Sequence, residues 1–343
     1  MSSAVDDSRR TARRALRATA AAVLVVAGAA GLIWQGRTLL VVLAGVLFAL
    51  ALRAPSRWIA DKTRAPYLAV LAVVVLLVVG LLGLGTYFLG AGIAGQLEAL
   101  GQKLPQAWAA TLETLRHQPA LARITGPLGD VHPALPSDTS KLLAGAGGAL
   151  ELLGAFVVVF FLGVYGAAQP DAYSRVVLAL VPPAHKHRAS LVLGEMGKEL
   201  TRWLAGRVVA MLVVGILVTV GLYILRVPLA GTLGALAGVL TFVEYLGAFA
   251  SAAPALLLGL SRGVGTAAGV AVLFTIAHVL EGYVLTPFLV RTTVRIPPGY
   301  TLAAQILLGS IFGIAGLTFA TPITILGTVL VQRLYIERQQ RRA

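Results

Sequence analysis

Glu244 and Glu281 lie furthest inside apolar runs of this chain, and Glu151 stands near the mouth of another. A charged side chain at the centre of a bilayer costs about 2.5–3.5 kcal/mol on insertion scales, so such residues face a cavity or a partner. Each is relieved by pairing with a cation or by taking a proton, and burial away from water favours the proton. A carboxylate that alternates between these states near neutral pH is what a proton-coupled carrier needs. Thr275, His278, Glu281 with Gly282, and Thr286 recur every three or four residues, predicting one polar stripe on an apolar helix. His278 and Glu281 are one turn apart and within reach of each other. Such a pair can merely fasten two helices; the stripe as a whole favours the lining of a cavity.

Thr241 precedes Glu244 by one turn, and Tyr245 and Gly247 follow it. Gly247 and Pro254 bracket small residues, 248–253, that are predicted to unwind. Non-helical backbone at membrane depth is tolerated only where it is buried in protein or lines water. Discontinuous helices of that kind build transporter sites near the midplane. Gly309, Gly313, Gly316 and Pro322 predict a second break, although Gly309-xxx-Gly313 and Gly234-xxx-Gly238 also permit close helix packing. The loop 287–298 carries Arg291 and Arg295. These cations can attract an anionic or polyhydroxylated ligand, or pair with Glu281 or a lipid phosphate.

The elements that must position these residues follow from composition. Of 343 residues, 58% are hydrophobic and 12% charged, against about 25% charged in an average soluble domain. So much apolar surface exceeds one core, because single cores stop growing at roughly 250–300 residues. Lipid is therefore the solvent for most of the chain. The expected fold is all-α, a polytopic transmembrane bundle with broken or re-entrant helices and with amphipathic helices outside the core. A crossing needs about 20 apolar residues, and eight candidates fit: 18–34, 38–52, 67–94, 142–168, 208–225, 229–250, 264–287 and 300–331. The second is short and pairs with the first through a turn at Gln35-Gly36-Arg37; the last is long enough for two half-helices. The Arg-rich start before 18–34 resembles a signal peptide, but with no small-residue cleavage site it reads as a retained helix.

Eight crossings place both termini on one side, and 20 of the 28 basic residues then fall there, Arg207 among them. By the positive-inside rule that side is the cytoplasm of a bacterial inner membrane. The chain divides into 1–95 (basic tail and three spans), 96–141 (an extracytoplasmic insertion), 142–168 (a fourth span), 169–207 (an interfacial region) and 208–343 (the transport core). In the insertion, Leu97, Leu100, Leu104, Trp108, Leu112 and Leu115 mark an amphipathic helix, suited to a partner helix, an oligomer contact or a cap on the bundle. In 185–207, Leu193, Met196, Leu200 and Trp203 share a face beside Lys186, Arg188, Lys198 and Arg202, as in helices that lie near anionic headgroups.

There is no cysteine, which excludes disulfides and thiol chemistry. No His-Glu-x-x-His, Gly-x-Ser-x-Gly or Walker-type loop occurs, so an enzyme or a self-contained ATP-driven pump is not expected. Neither a cofactor nor a metal is expected. The net charge of +14 clusters at the ends of apolar runs rather than on one nucleic-acid-binding face.

Four stretches carry a resemblance: T-R-W-L-A-G-R at 201–207, L-E-G-Y-V-L-T-P-F-L-V at 280–290, Pro298, and F-G-I-A-G-L-T-F-A-T-P at 312–322. Together they resemble the autoinducer-2 exporter-like (AI-2E) transporter family, over about 191–331. The resemblance implies a bundle of about eight helices and secondary transport; some members export a furanone-derived signal and others exchange sodium for protons. It also carries Glu281-Gly282 and Pro287 over as site residues. Where the family reads Pro-x-Ile-Gly, this chain has Glu244-Tyr245-Leu246-Gly247, with Thr241 in place of the family's acid and Arg291 and Arg295 in place of glycines. The expected function is ion-coupled transport of a small polar solute by a homo-oligomer in membrane lipid. A monovalent cation–proton antiporter and a non-transporting scaffold are the alternatives.

Overall fold

Apolar runs with helical propensity and almost no internal charge make helices here, and the computed structural model contains no strand among its described residues, 35–81, 83, 106, 109, 146–285 and 297–333. The expected first span at 18–34, the insertion at 96–141, the loop residues Thr286, Pro287, Arg291 and Arg295, and the tail after 333 lie outside them.

Helix α1 is Gly36–Thr63, α2 Tyr67–Leu81 and α3 Ala146–Ala168. α1 has 28 residues, about 42 Å, so it outruns the hydrocarbon and carries Arg53, Arg57 and Lys62 beyond it. It packs on α3 where glycines allow close approach: a Cβ on Gly45 would strike Leu162, and one on Gly163 would strike Phe48. α3 ends at Ala168, and after Gln169 the chain starts α4 (Pro170–Ala179) at 96° to it. Tyr67 donates a 2.7 Å hydrogen bond to the Ala167 carbonyl at that corner.

Helix α5, Lys186–Ile224, is the axis of the remainder. Its 39 residues span about 58 Å, and it passes through 207, where the interfacial region was expected to end, without interruption. Along its C-terminal half, Val214, Val218 and Leu222 form a fully buried core with Leu233 and Ala237 of α6 (Ala230–Leu240), Leu258 of α7 (Leu246–Leu260) and Val270 of α8 (Val264–Val279). Gly234 and Gly238 lie against Thr219 and Gly215 of α5, with no room for a side chain at either.

The run 229–250, expected as one crossing, is instead the larger part of a helical hairpin. α6 has 11 residues and α7 has 15, about 16 and 22 Å, and each is too short to cross. A Cβ on Gly247 would lie 1.8 Å from the Leu240 carbonyl oxygen, so the chain folds straight back through 241–245. The break therefore comes earlier than the predicted unwinding at 248–253, which is helical with Pro254 inside α7. Proline removes one backbone donor, whereas the alanines around it favour helix.

Helix α9, Pro298–Val331, breaks at Gly313 (φ 62, ψ −140). A Cβ on Gly316 would meet the Leu308 carbonyl oxygen at 1.9 Å, whereas residues eight apart in a straight helix are separated by about 12 Å. α9 is thus a second hairpin of two half-helices. The two hairpins enter from opposite ends of α5. The first has its open end beside Leu222 and Val227. The open end of the second is at Val329, which packs on Val192, and at Arg333, which holds Glu195 through contacts of 2.5 and 2.6 Å.

Among the described residues, four helices are long and apolar enough to cross a membrane by length and composition, α9 being counted whole despite its fold-back, or five if the bent α3–α4 pair is one span. The outward faces are apolar, with Leu76, Ile216, Phe249 and Ile314 all exposed. This is an all-α membrane bundle.

Candidate functional site

The tip of the first hairpin is a strained turn. Tyr245 has φ 60 and ψ −59, and the Leu246 N–H donates to the Glu244 carbonyl at 2.7 Å, the geometry of a γ-turn with positive φ, which is rare for a side-chain-bearing residue. Strain of this kind persists only where surroundings impose it. Here Gln305, 1% exposed, donates from Nε2 to the same Glu244 carbonyl at 2.8 Å. Thr321 Oγ1 lies 3.4 Å from Glu244 Oε2. Gln305 and Thr321 sit eight residues on either side of Gly313, so the tip of one hairpin rests between the two legs of the other.

The Glu244 carboxylate meets a guanidinium. Arg207 Nη2 is 2.5 Å from Glu244 Oε1, an ion pair in which the N–H is not directed at the oxygen, and Arg207 Nη1 donates to Glu281 Oε1 at 2.8 Å. Glu281 Oε2 in turn lies 3.1 Å from His278 Nδ1. Helix α8 supplies both of these groups, through a π-helical turn at Leu280–Leu285 that continues it; single π turns recur at functional sites. Arg207 is 7% exposed and Glu244 25%. Among the described residues, one guanidinium lies between two carboxylates, with the His278 ring beside the second.

A cavity of 540 Å³ opens on this cluster. Glu199, Trp203 and Arg207, spaced by four along α5, line one wall; Thr241, Glu244 and Tyr245 of the tip, His278, Glu281 and Gly282 of α8, and Thr301, Thr321 and Ile325 of the second hairpin supply the others. It runs from Arg207 towards Glu199, the basic end of α5. Trp203 Nε1 and His278 Nε2 are buried in these walls with no protein hydrogen-bond partner among the described residues.

The structure thus brings together Glu244, Glu281, His278, Thr241, Tyr245 and Gly282. Thr241 faces the cavity, but its hydroxyl donates to the Ala237 carbonyl at 2.7 Å. Gly247, Gly313, Gly316 and Pro322 shape the hairpins and Pro254 lies within α7, all outside the cavity wall. Thr275 is exposed and off the wall, its hydroxyl bonded to the Ala271 carbonyl at 2.8 Å. Steps of three residues drift by about 60° around a helix, so two steps carry Thr275 off the face of Glu281. Arg207, Glu199, Gln305 and Thr321 are the participants that sequence reasoning missed. For Arg207 a signal existed: two intramembrane acids require a cation, and Arg207 heads the apolar run of α5.

The family described as AI-2E family transporter matches residues 22–336. The chain belongs to that family. The resemblance read from its motifs is thereby confirmed, and the matched residues include every member of the cluster. Three relatives share the printed name "Putative transport protein". YrrI of Bacillus subtilis (strain 168) is 27% identical over 48% of this chain, and YueF of the same organism 23% identical over 66%. A third, from Thermotoga maritima, is 34% identical over 37%. The matches span 46%, 62% and 40% of the relatives' own lengths. As a member of the AI-2E family with several membrane-crossing helices, the chain is a multi-pass membrane protein.

Proposed function

We propose that this AI-2E family member is a secondary transporter that moves a small polar solute across the bacterial inner membrane in exchange for, or together with, protons. The observation that carries the reading is the Arg207–Glu244–Glu281–His278 cluster at the meeting point of two opposed hairpins, facing a 540 Å³ cavity. Two carboxylates that share a guanidinium and face a cavity can exchange that partner for a proton or a monovalent cation. A proton on Glu244 weakens its hold on Arg207, and because Glu244 sits on the hairpin tip, that step loosens the contact between the hairpins. The solute's hydroxyl groups find Trp203 Nε1 as donor and His278 Nε2 as a further polar partner. Transport then needs no cofactor. Both termini lie in the cytoplasm by the positive-inside rule, so the cavity opens towards that side.

The same two carboxylates support a second reading, a monovalent cation–proton antiporter in which they alternate between H⁺ and Na⁺. One assay serves both: the full chain in liposomes with a trapped pH dye, pulsed with Na⁺, Li⁺ or K⁺ and separately with a pentose. Proton movement on cation pulses supports antiport, and movement with the pentose alone supports solute coupling. Glu244→Gln and Glu281→Gln each abolish the proton signal. If both variants leave every flux unchanged, the assignment of these carboxylates is wrong.

A further inference from the structure

A second cavity, distinct from the transport site, lies at the basic end of the bundle between α1, α4 and α5. Its volume is 620 Å³. Arg53 and Arg57 come from successive turns of α1, and Lys198 and Arg202 from successive turns of α5, against a single lining carboxylate, Asp171. Arg202 is engaged by Glu199 at 2.9 Å, whereas Arg53, Arg57 and Lys198 have no carboxylate within ion-pair distance among the described residues. Like charges gathered in this way repel one another, and an anion placed among them removes the repulsion. The same groove is lined by the apolar side chains of Leu50 and Leu178, Leu50 lying one turn to the membrane side of Arg53 on α1.

Three independent features set this groove at the level of lipid headgroups. α4 runs at 96° to the membrane-crossing α3, hence close to the membrane plane. Val176 on its outer face is 68% exposed and Leu180, which caps its C-terminus, 85%, as expected for a helix lying in the interface. Trp58, one residue beyond Arg57, is 65% exposed with the Lys62 ammonium 5.1 Å from its ring, and aromatic residues of this kind mark membrane–water boundaries. Cations beside apolar side chains in one groove match a molecule with a phosphate head and an acyl tail, and basic pockets between helices on the cytoplasmic side are suited to such heads.

We propose that the α1–α4–α5 groove binds an anionic phospholipid, its phosphodiester between Arg53, Arg57 and Lys198 and its acyl chain over Leu50 and Leu178. The test uses the full chain, purified and delipidated in detergent, with retained lipid counted by native mass spectrometry. The probes are dioleoyl phosphatidylglycerol, dioleoyl phosphatidylcholine and water-soluble glycerol phosphate. Phosphatidylglycerol is retained in preference to phosphatidylcholine, and each cation removed lowers its retention about fivefold. Arg57→Gln therefore shows about a fivefold loss and Arg53→Gln/Arg57→Gln roughly a twenty-five-fold loss, while Arg57→Lys restores binding. Arg57 is exposed, so its single variants fold even if the double variant does not. Equal retention of the two lipids, or full retention by Arg57→Gln, overturns the proposal. So does displacement of the lipid by glycerol phosphate at comparable concentration, which would make this a site for soluble phosphoesters.

Discussion

Replacing Arg207 with glutamine removes a cation that bridges two carboxylates, and its cost can be worked from the geometry. The guanidinium contacts Glu244 at 2.5 Å and Glu281 at 2.8 Å. With charge centres about 4 Å apart at an effective dielectric of 20, each attraction is worth about 4 kcal/mol before desolvation is subtracted. Burying the guanidinium itself costs several kcal/mol, so the measured penalty for breaking a buried pair is about 3–5 kcal/mol. Glu244 and Glu281 keep 25% and 16% of their side-chain surface open, and the water that reaches them places Arg207→Gln at the lower end, about 3 kcal/mol. In detergent this lowers the unfolding midpoint on the order of 5 °C, read from intrinsic tryptophan fluorescence. The decisive measurement is the double-mutant cycle. In the native chain Glu281→Gln forfeits a charge-assisted hydrogen bond and costs about 1 kcal/mol. In the Arg207→Gln background it removes a carboxylate that the guanidinium no longer separates from Glu244, and it restabilises the protein. The two substitutions couple by about 2 kcal/mol. If Glu281→Gln destabilises both backgrounds equally, the guanidinium is not what holds the carboxylates, and the charge argument for the site fails.

The hairpin tips make two further tests. Gly316→Ala places a methyl group 1.9 Å from the Leu308 carbonyl and removes the folded protein from size-exclusion profiles, whereas Gly313→Ala has open space around it and costs only about 1–3 kcal/mol of backbone strain; the reverse order would refute the fold-back. At Tyr245, with φ 60, valine costs about 1–2 kcal/mol through its branched side chain, while asparagine and glycine are tolerated; equal midpoints for valine and asparagine would show that the turn is relaxed.

Much of the site was legible because carboxylates in lipid are expensive. Glu244 and Glu281 stood out on that ground alone, His278 through its place one turn from Glu281, and the glycines of the second break through their spacing before Pro322. Arg207 did not, because the rule that sorts arginines to cytoplasmic loops treats any cation at the head of an apolar run as outside the membrane. It is buried only because α5 continues unbroken through it and the first hairpin returns Glu244 to its side. Thr275 was placed on the wall by a three-residue period that drifts off the face within two steps. Residues 229–250 read as one crossing because their length and hydropathy suit one, and nothing local distinguishes 22 apolar residues that cross from two shorter helices that turn back.

What the residues determined by themselves is the solvent and the class: a helical protein in lipid, of the AI-2E family, with costly acids in its C-terminal half. Hydropathy and charge are local properties, additive along the chain, and survive without knowledge of contacts. What only the tertiary structure decided is who neutralises whom. Arg207 is 37 residues from Glu244 and 74 from Glu281, and three separate elements must close before these charges meet. Pairing of that kind depends on inverse distance rather than on sequence position, so it exists only once the two hairpins have turned and docked.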